Sequence, residues 1–257
     1  MRKFLFPLLT LILLAATQLQ ATPPQDKPVD LTVSAAASLK DALDVITPIY
    51  AKTQPSVTLH FNLGASGTLQ QQIEQGAPVD VYISASPDQM DALAKETLLL
   101  AGTRQDLLRN SIVLIVPAGS SHVSAFKDLL DPSVKFVAIG EPQSVPAGKY
   151  AQQTLTYMGL YDSLKPKFVL GKDVRQVLTY VATGNADAGM VYATDAKTTA
   201  QVKVVATAPE DSHSPVIYPV AVLNGSKSVD AAKAFVVFLE SSQAQNIFQR
   251  FGFAPAK

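Results

Sequence analysis

Two serines stand where an extended stretch gives way to a helical one. Ser38 follows Ala35-Ala36-Ala37 and precedes Leu39-Lys40-Asp41, and Ser66 lies within Gly64-Ala65-Ser66-Gly67-Thr68. With Asp41 three residues on, Ser38 has the form of a helix cap, in which the side-chain oxygen accepts from a free amide of the first turn. The small side chains ahead of it also leave space for a ligand at the helix end, where unpaired amides and the helix dipole favour negative charge. The run at 64–68 is small enough for consecutive N–H groups to bend toward one point and cradle an anion. It lacks the Gly-Lys-Ser/Thr ending of a nucleotide-binding loop. Taken singly, capping explains Ser38 and an ordinary turn explains 64–68. Two such turns in one parallel sheet converge at its carboxyl edge, where open α/β sheets bind ligands.

The second half of the chain offers matching pieces. Val145-Pro146-Ala147-Gly148 opens a helix with Pro146 suited to its first turn, which leaves the Ala147 N–H free to point outward. Asp173-Val174-Arg175 opens another, with Asp173 favourable at the positive end of the dipole. Gly189-Met190-Val191-Tyr192 ends a buried strand in a phenol, a neutral donor on a rigid ring. Simple helix starts and a half-buried aromatic are the plainer readings of each. Arg175 reads as an ion-pair partner that stabilises the lobes rather than as a ligand.

Catalytic chemistry finds little support. His60, His122 and His213 are scattered without metal-ligand spacing, and no G-x-S-x-G turn is present. Neither Ser38 nor Ser66 has a base suggested beside it. The absence of cysteine removes disulfides, thiolate metal sites and cysteine nucleophiles.

The elements that must position these groups alternate between short apolar runs and amphipathic stretches, the signature of an α/β protein with largely parallel strands. Strands are expected at 31–34, 57–63, 79–84, 112–116, 134–139, 188–191, 202–206 and 217–223. Helices are expected at 39–52, 68–75, 87–100, 147–158, 174–183, 229–239 and 244–251. Two α/β sets followed by helices that need an apolar partner suggest a chain that builds lobe one (22–110), then lobe two (111–215), and returns to lobe one (216–257).

Residues 1–21 read as a cleaved secretory signal peptide. Arg2 and Lys3 precede the apolar run Phe4 to Ala16, which is shorter than the roughly 20 residues that span a bilayer. The remaining chain carries 19 basic against 21 acidic residues, so no positive field recommends a nucleic-acid or membrane-surface partner. Export without cysteine points to a periplasm.

Together, Ala35-Ala36-Ala37-Ser38-Leu39, Gly64-Ala65-Ser66-Gly67-Thr68-Leu69, Gly76-Ala77-Pro78-Val79-Asp80, Val145-Pro146-Ala147-Gly148-Lys149-Tyr150, Asp173-Val174-Arg175 and Gly189-Met190-Val191-Tyr192 resemble the periplasmic molybdate-binding proteins of ABC importers. The stretches 206–213 and 218–222 are similar to that family too. The resemblance implies the two-lobed, type II periplasmic binding protein fold with a ligand in the interlobe cleft. It implies a molybdate or tungstate ligand, no cofactor, a membrane permease as partner and a monomer. It also places the oxyanion on Ser38, Ser66, the backbone N–H groups of Ala147 and Val174, and the Tyr192 hydroxyl. Gly67 departs from the pattern, since some relatives carry another serine there.

Uncharged donors suit such a ligand. A dianion taken out of water must have its lone pairs satisfied, and each charge-assisted hydrogen bond contributes about 1.5–3 kcal/mol. Protonated phosphate brings an O–H that a donor-only set cannot receive. Sulfate, thiosulfate or another small anion remains the alternative ligand.

Overall fold

The computed structural model describes residues 27–256, and the expected leader at 1–21 lies outside them. The described chain opens with β1 (Val29–Ala36), a 3-10 turn at Ala37–Leu39, α1 (Lys40–Thr53), β2 (Val57–Gly64), α2 (Ser66–Glu74), β3 (Val81–Ile83), α3 (Pro87–Lys95) and β4 (Gln105–Arg109). It continues through β5 (Ile112–Pro117), β6 (Val137–Gly140), α4 (Pro146–Tyr157), α5 (Tyr161–Leu164), β7 (Phe168–Gly171), α6 (Val174–Ala182), β8 (Ala188–Tyr192), α7 (Ala193–Ala196) and β9 (Val202–Thr207). It closes with β10 (Ile217–Val222), α8 (Val229–Glu240), α9 (Ser242–Arg250) and β11 (Ala254–Pro255).

Periodicity accounts for most of these elements. In α1 the buried residues Ala42, Leu43, Ile46 and Tyr50 recur at helical spacing. In β2 the exposed Thr58, His60 and Asn62 alternate with inward-turned Val57, Leu59, Phe61 and Leu63, as an edge strand with one covered face requires. In β5 Ile112 to Val116 are all buried, because the strand lies inside its sheet with both faces covered.

The strands form two sheets, in the orders β11-β4-β10-β3-β1-β2 and β7-β6-β8-β5-β9. Both are mixed, where largely parallel sheets are expected from the sequence. The β1–β2, β1–β3, β6–β7 and β6–β8 pairs are parallel, whereas β5 and β10 run antiparallel to both of their neighbours. The reason lies in the crossings. A chain leaving the first sheet at the carboxyl end of β4 enters the second at the carboxyl edge of β8, where Ile112 pairs with Tyr192, so β5 must run backward. The same argument reverses β10, whose first residue Ile217 pairs with Arg109 at the end of β4. The returning helices then cover the first sheet, with Phe235 of α8 edge-on to Tyr50 of α1 at 5.0 Å between ring centroids.

Several local expectations shift. α3 stops at Lys95 rather than near residue 100, because Thr97 takes a positive φ of 57° and Leu98 N–H returns to the Leu93 carbonyl. Leu99 then bridges to Leu223. Helix α2 begins at Ser66, two residues early. Strands β4, β7 and β11 are too short or too charged at their ends to show a period. Among the described residues, no helix is long and apolar enough to cross a membrane.

Helix α4 sits unusually close to β6. A Cβ built on Gly148 would lie 2.0 Å from the Gly140 carbonyl oxygen, so only glycine permits this approach. Gly148→Ala should therefore cost about 1–3 kcal/mol of stability through forced backbone movement. A urea midpoint equal to that of the unsubstituted protein would show that the contact yields freely.

Candidate functional site

The placement of the candidate groups starts from strand register. β1 and β2 pair in parallel with Ala36 opposite Gly64, and Ser38 and Ser66 each lie two residues beyond that last pair. β6 and β7 likewise end together, with Gly140 opposite Gly171. The segments that follow start α4, which carries Ala147, and α6, which begins with Val174. Tyr192 ends β8, the other neighbour of β6. All five residues are buried and lie at carboxyl edges.

Ser38 is not a helix cap. It lies in the 3-10 turn, and the residue at the N-cap position of α1 is Leu39, without a side-chain cap. The Ser38 Oγ instead lies 2.9 Å from the Tyr218 hydroxyl, and Asp41 pairs with Arg175 rather than closing a capping box. Ser66 is the first residue of α2. Its Oγ accepts the Ala85 N–H at 2.9 Å, and its carbonyl accepts the Tyr82 hydroxyl at 2.7 Å. One Ser66 lone pair is thus engaged while its proton is free to donate elsewhere.

Gly67 is fixed by close approach. Its N–H donates to the Ser144 carbonyl at 3.0 Å, and a Cβ there would lie 2.6 Å from that oxygen. A serine at 67 has no room in this arrangement. The contact joins the start of α2 to the turn that leads into α4.

In α4 the earliest amide bonds run from Gly148 and Lys149 to the Val145 carbonyl, so the Ala147 N–H stands ahead of the helical bonds. In α6 the Asp173 side chain caps Gln176 N–H at 2.8 Å, and the Asp173 carbonyl takes Val177 N–H at 3.3 Å. Asp173 is a true N-cap, and the Val174 N–H precedes the bonds it anchors. The Tyr192 hydroxyl is buried without a hydrogen-bond partner among the described residues. Burial, with the Tyr218 and Tyr150 phenols and the Asp195 carboxylate nearby, holds its pKa far above the ordinary phenol range. It therefore stays a neutral donor.

Arg175 links the two halves of the chain. It pairs with Asp41 of α1, donates to the Ser38 carbonyl at 3.3 Å, and places Nε 2.7 Å from Asp195 Oδ1. That last contact is an ion pair without an aligned hydrogen bond. Lys149 of α4 and Asp88 of α3 form a second, exposed link at 2.6 Å. Nothing local in the sequence signals Tyr218, which reaches Ser38 from 180 residues away.

Comparison with known proteins bears on what this arrangement serves. The family model described as bacterial extracellular solute-binding protein matches residues 31–254. The chain belongs to this family. The molybdate-binding protein ModA of Haemophilus influenzae is 39% identical over 87% of this chain and 89% of its own. Its Escherichia coli counterpart is 40% identical over 87% and 88%. The solved periplasmic molybdate-binding protein of Azotobacter vinelandii, 24% identical, shares the fold with a TM-score of 0.80 over 88% of this chain and all of that one.

As a solute-binding protein the chain is a transport component rather than an enzyme, and its serines agree with that. The Ser38 hydroxyl meets a phenol and the Ser66 oxygen meets an amide, so neither contacts a base. His60 pairs with the exposed Asp30, and His213 Nδ1 lies by the Ser214 carbonyl. Behind Tyr192, Asp195 is fully buried. Burial raises its pKa to about 7 against the attraction of Arg175. A carboxyl shifted up from 3.8 contributes stability below that value and loses it as pH rises through about 7. The Tm of Asp195→Asn relative to the unsubstituted protein should therefore improve as pH is raised from 5 to 8. A difference that stays flat would mean that Asp195 does not titrate in this window.

Proposed function

We propose that this protein captures molybdate, or tungstate, in the periplasm after removal of its leader and delivers it as a monomer to an ABC-type membrane importer. No cofactor takes part. The observation that carries the reading is the Tyr192 hydroxyl, a buried neutral donor without an acceptor among the described residues, at carboxyl edges where two helix starts and two serines also lie. A buried unpaired hydroxyl costs about 1–3 kcal/mol in a folded protein, a cost that an anion at this position would reverse.

In this reading lobe one (22–110 and 216–257) supplies the Ser38 and Ser66 hydroxyls. Lobe two (111–215) supplies the Ala147 and Val174 amides and the Tyr192 phenol. Neither lobe alone completes a tetrahedral cage, so ligand binding stabilises the closed form, which the permease then recognises. Arg175 stays outside the cage because its guanidinium pairs with Asp41 and turns its Nε to Asp195. The set offers donors only, which admits fully ionised oxyanions and disfavours those that keep a proton. Size then separates molybdate and tungstate from sulfate, whose shorter bonds leave some contacts stretched.

Isothermal titration of ligand-stripped protein should show tight binding of molybdate and tungstate and much weaker binding of sulfate. Equal affinity for sulfate, or none for molybdate, would end this reading. Tyr192→Phe should weaken molybdate binding by about 1–3 kcal/mol. Because the hydroxyl it removes has no partner among the described residues, the ligand-free variant should unfold at the same temperature or higher. Unchanged molybdate affinity would remove Tyr192 from the cage.

A further inference from the structure

Behind Ser38 lies a chain of hydrogen bonds that starts from a backbone amide. Asn110 sits at the first crossing between the sheets, and its Oδ1 accepts the Ser111 N–H at 2.9 Å. That bond sets the amide orientation, because a backbone N–H can only donate. The Asn110 Nδ2 group therefore faces its other two neighbours as a donor, to Thr194 Oγ1 at 2.9 Å and to the Tyr218 hydroxyl oxygen at 3.3 Å. With one lone pair of that oxygen engaged by Asn110, the Tyr218 hydroxyl is placed to donate its single proton to Ser38 Oγ, 2.9 Å away. Tyr218 is fully buried, and burial holds its pKa far above the ordinary range, so this proton stays in place.

We propose that Tyr218, oriented by Asn110, is a positioning residue that turns Ser38 into an obligate donor and so sets which anions the site accepts. The inference rests on the molybdate reading above and extends it from the residues at the ligand to the group that controls one of their protons. If Tyr218 accepted from Ser38, the serine would present only lone pairs and repel a bare dianion. With Tyr218 donating, the Ser38 proton is left for the ligand, and the accepted bond makes that proton a stronger donor. An anion that keeps its own O–H, such as hydrogen phosphate, gains least from a serine held in this state.

Tyr218→Phe removes the relay while leaving the ring that packs edge-on against Tyr192 at 5.7 Å and Phe253 at 5.5 Å. The Ser38 hydroxyl is then free to rotate and accept. Molybdate affinity should be read by titration and phosphate affinity by displacement at neutral pH, on the full chain. We expect molybdate binding to weaken about tenfold while phosphate binding holds or strengthens, so that selectivity falls by at least that factor. Asn110→Ala, which leaves Tyr218 in place without its orienting donor, should shift selectivity the same way by less. A parallel loss for both anions would assign Tyr218 a packing role only, and unchanged selectivity in both variants would likewise overturn the proposal. A loss of molybdate binding in the unsubstituted protein would instead refute the functional reading itself.

Discussion

The pairing of Ala36 with Gly64 and of Gly140 with Gly171 constrains nearly everything that follows in this molecule. Parallel strands that end in register deliver their helix starts to one line, and helix starts carry amides without partners. Two such lines face each other because the chain crosses between sheets at the same edge. That crossing in turn reverses β5 and β10, which is why both sheets are mixed. Close backbone contacts then fix the geometry: Gly148 against Gly140 seats α4 on its sheet, and Gly67 against Ser144 brings α2 to the turn before α4. Neither contact admits a side chain.

The electrostatics follow from burial. A site for a dianion could be built from cations, but a mobile charge beside the ligand would have to be desolvated with it. Here Arg175 is held by two carboxylates on different parts of the chain, so it ties the halves together while the candidate donors stay neutral. Phenols buried this deeply keep their protons across any physiological pH. Asp195, whose pKa burial raises to about 7, is set behind the site rather than in it.

The α/β layering, the positions of the long helices and the alternating edge strand β2 were legible because each has a period that local sequence expresses. The helix starts around Ser66, Ala147 and Val174 were legible for the same reason, since small residues, a proline and an N-cap aspartate mark them locally. Ser38 shows the limit of such reading. Its spacing to Asp41 is that of a capping box, yet Arg175 draws Asp41 away and Tyr218 takes the hydroxyl, and both partners come from distant segments. The end of α3 failed differently, since a positive φ at threonine has no sequence mark and its reward is the pairing of Leu99 with Leu223.

By itself, then, the sequence determined which residue types were available, neutral hydroxyls and helix-end amides without cysteine or clustered histidine, and which periods would make strands and helices. Only the tertiary structure decided how those groups are oriented: that Ser38 meets Tyr218 and not its own helix, that Arg175 is held between Asp41 and Asp195, and that the Tyr192 hydroxyl has no partner among the described residues. The physical reason is range. Backbone preference and periodicity act over a few residues, whereas the direction of a hydroxyl proton is set by whichever group the fold carries to within about 3 Å of it.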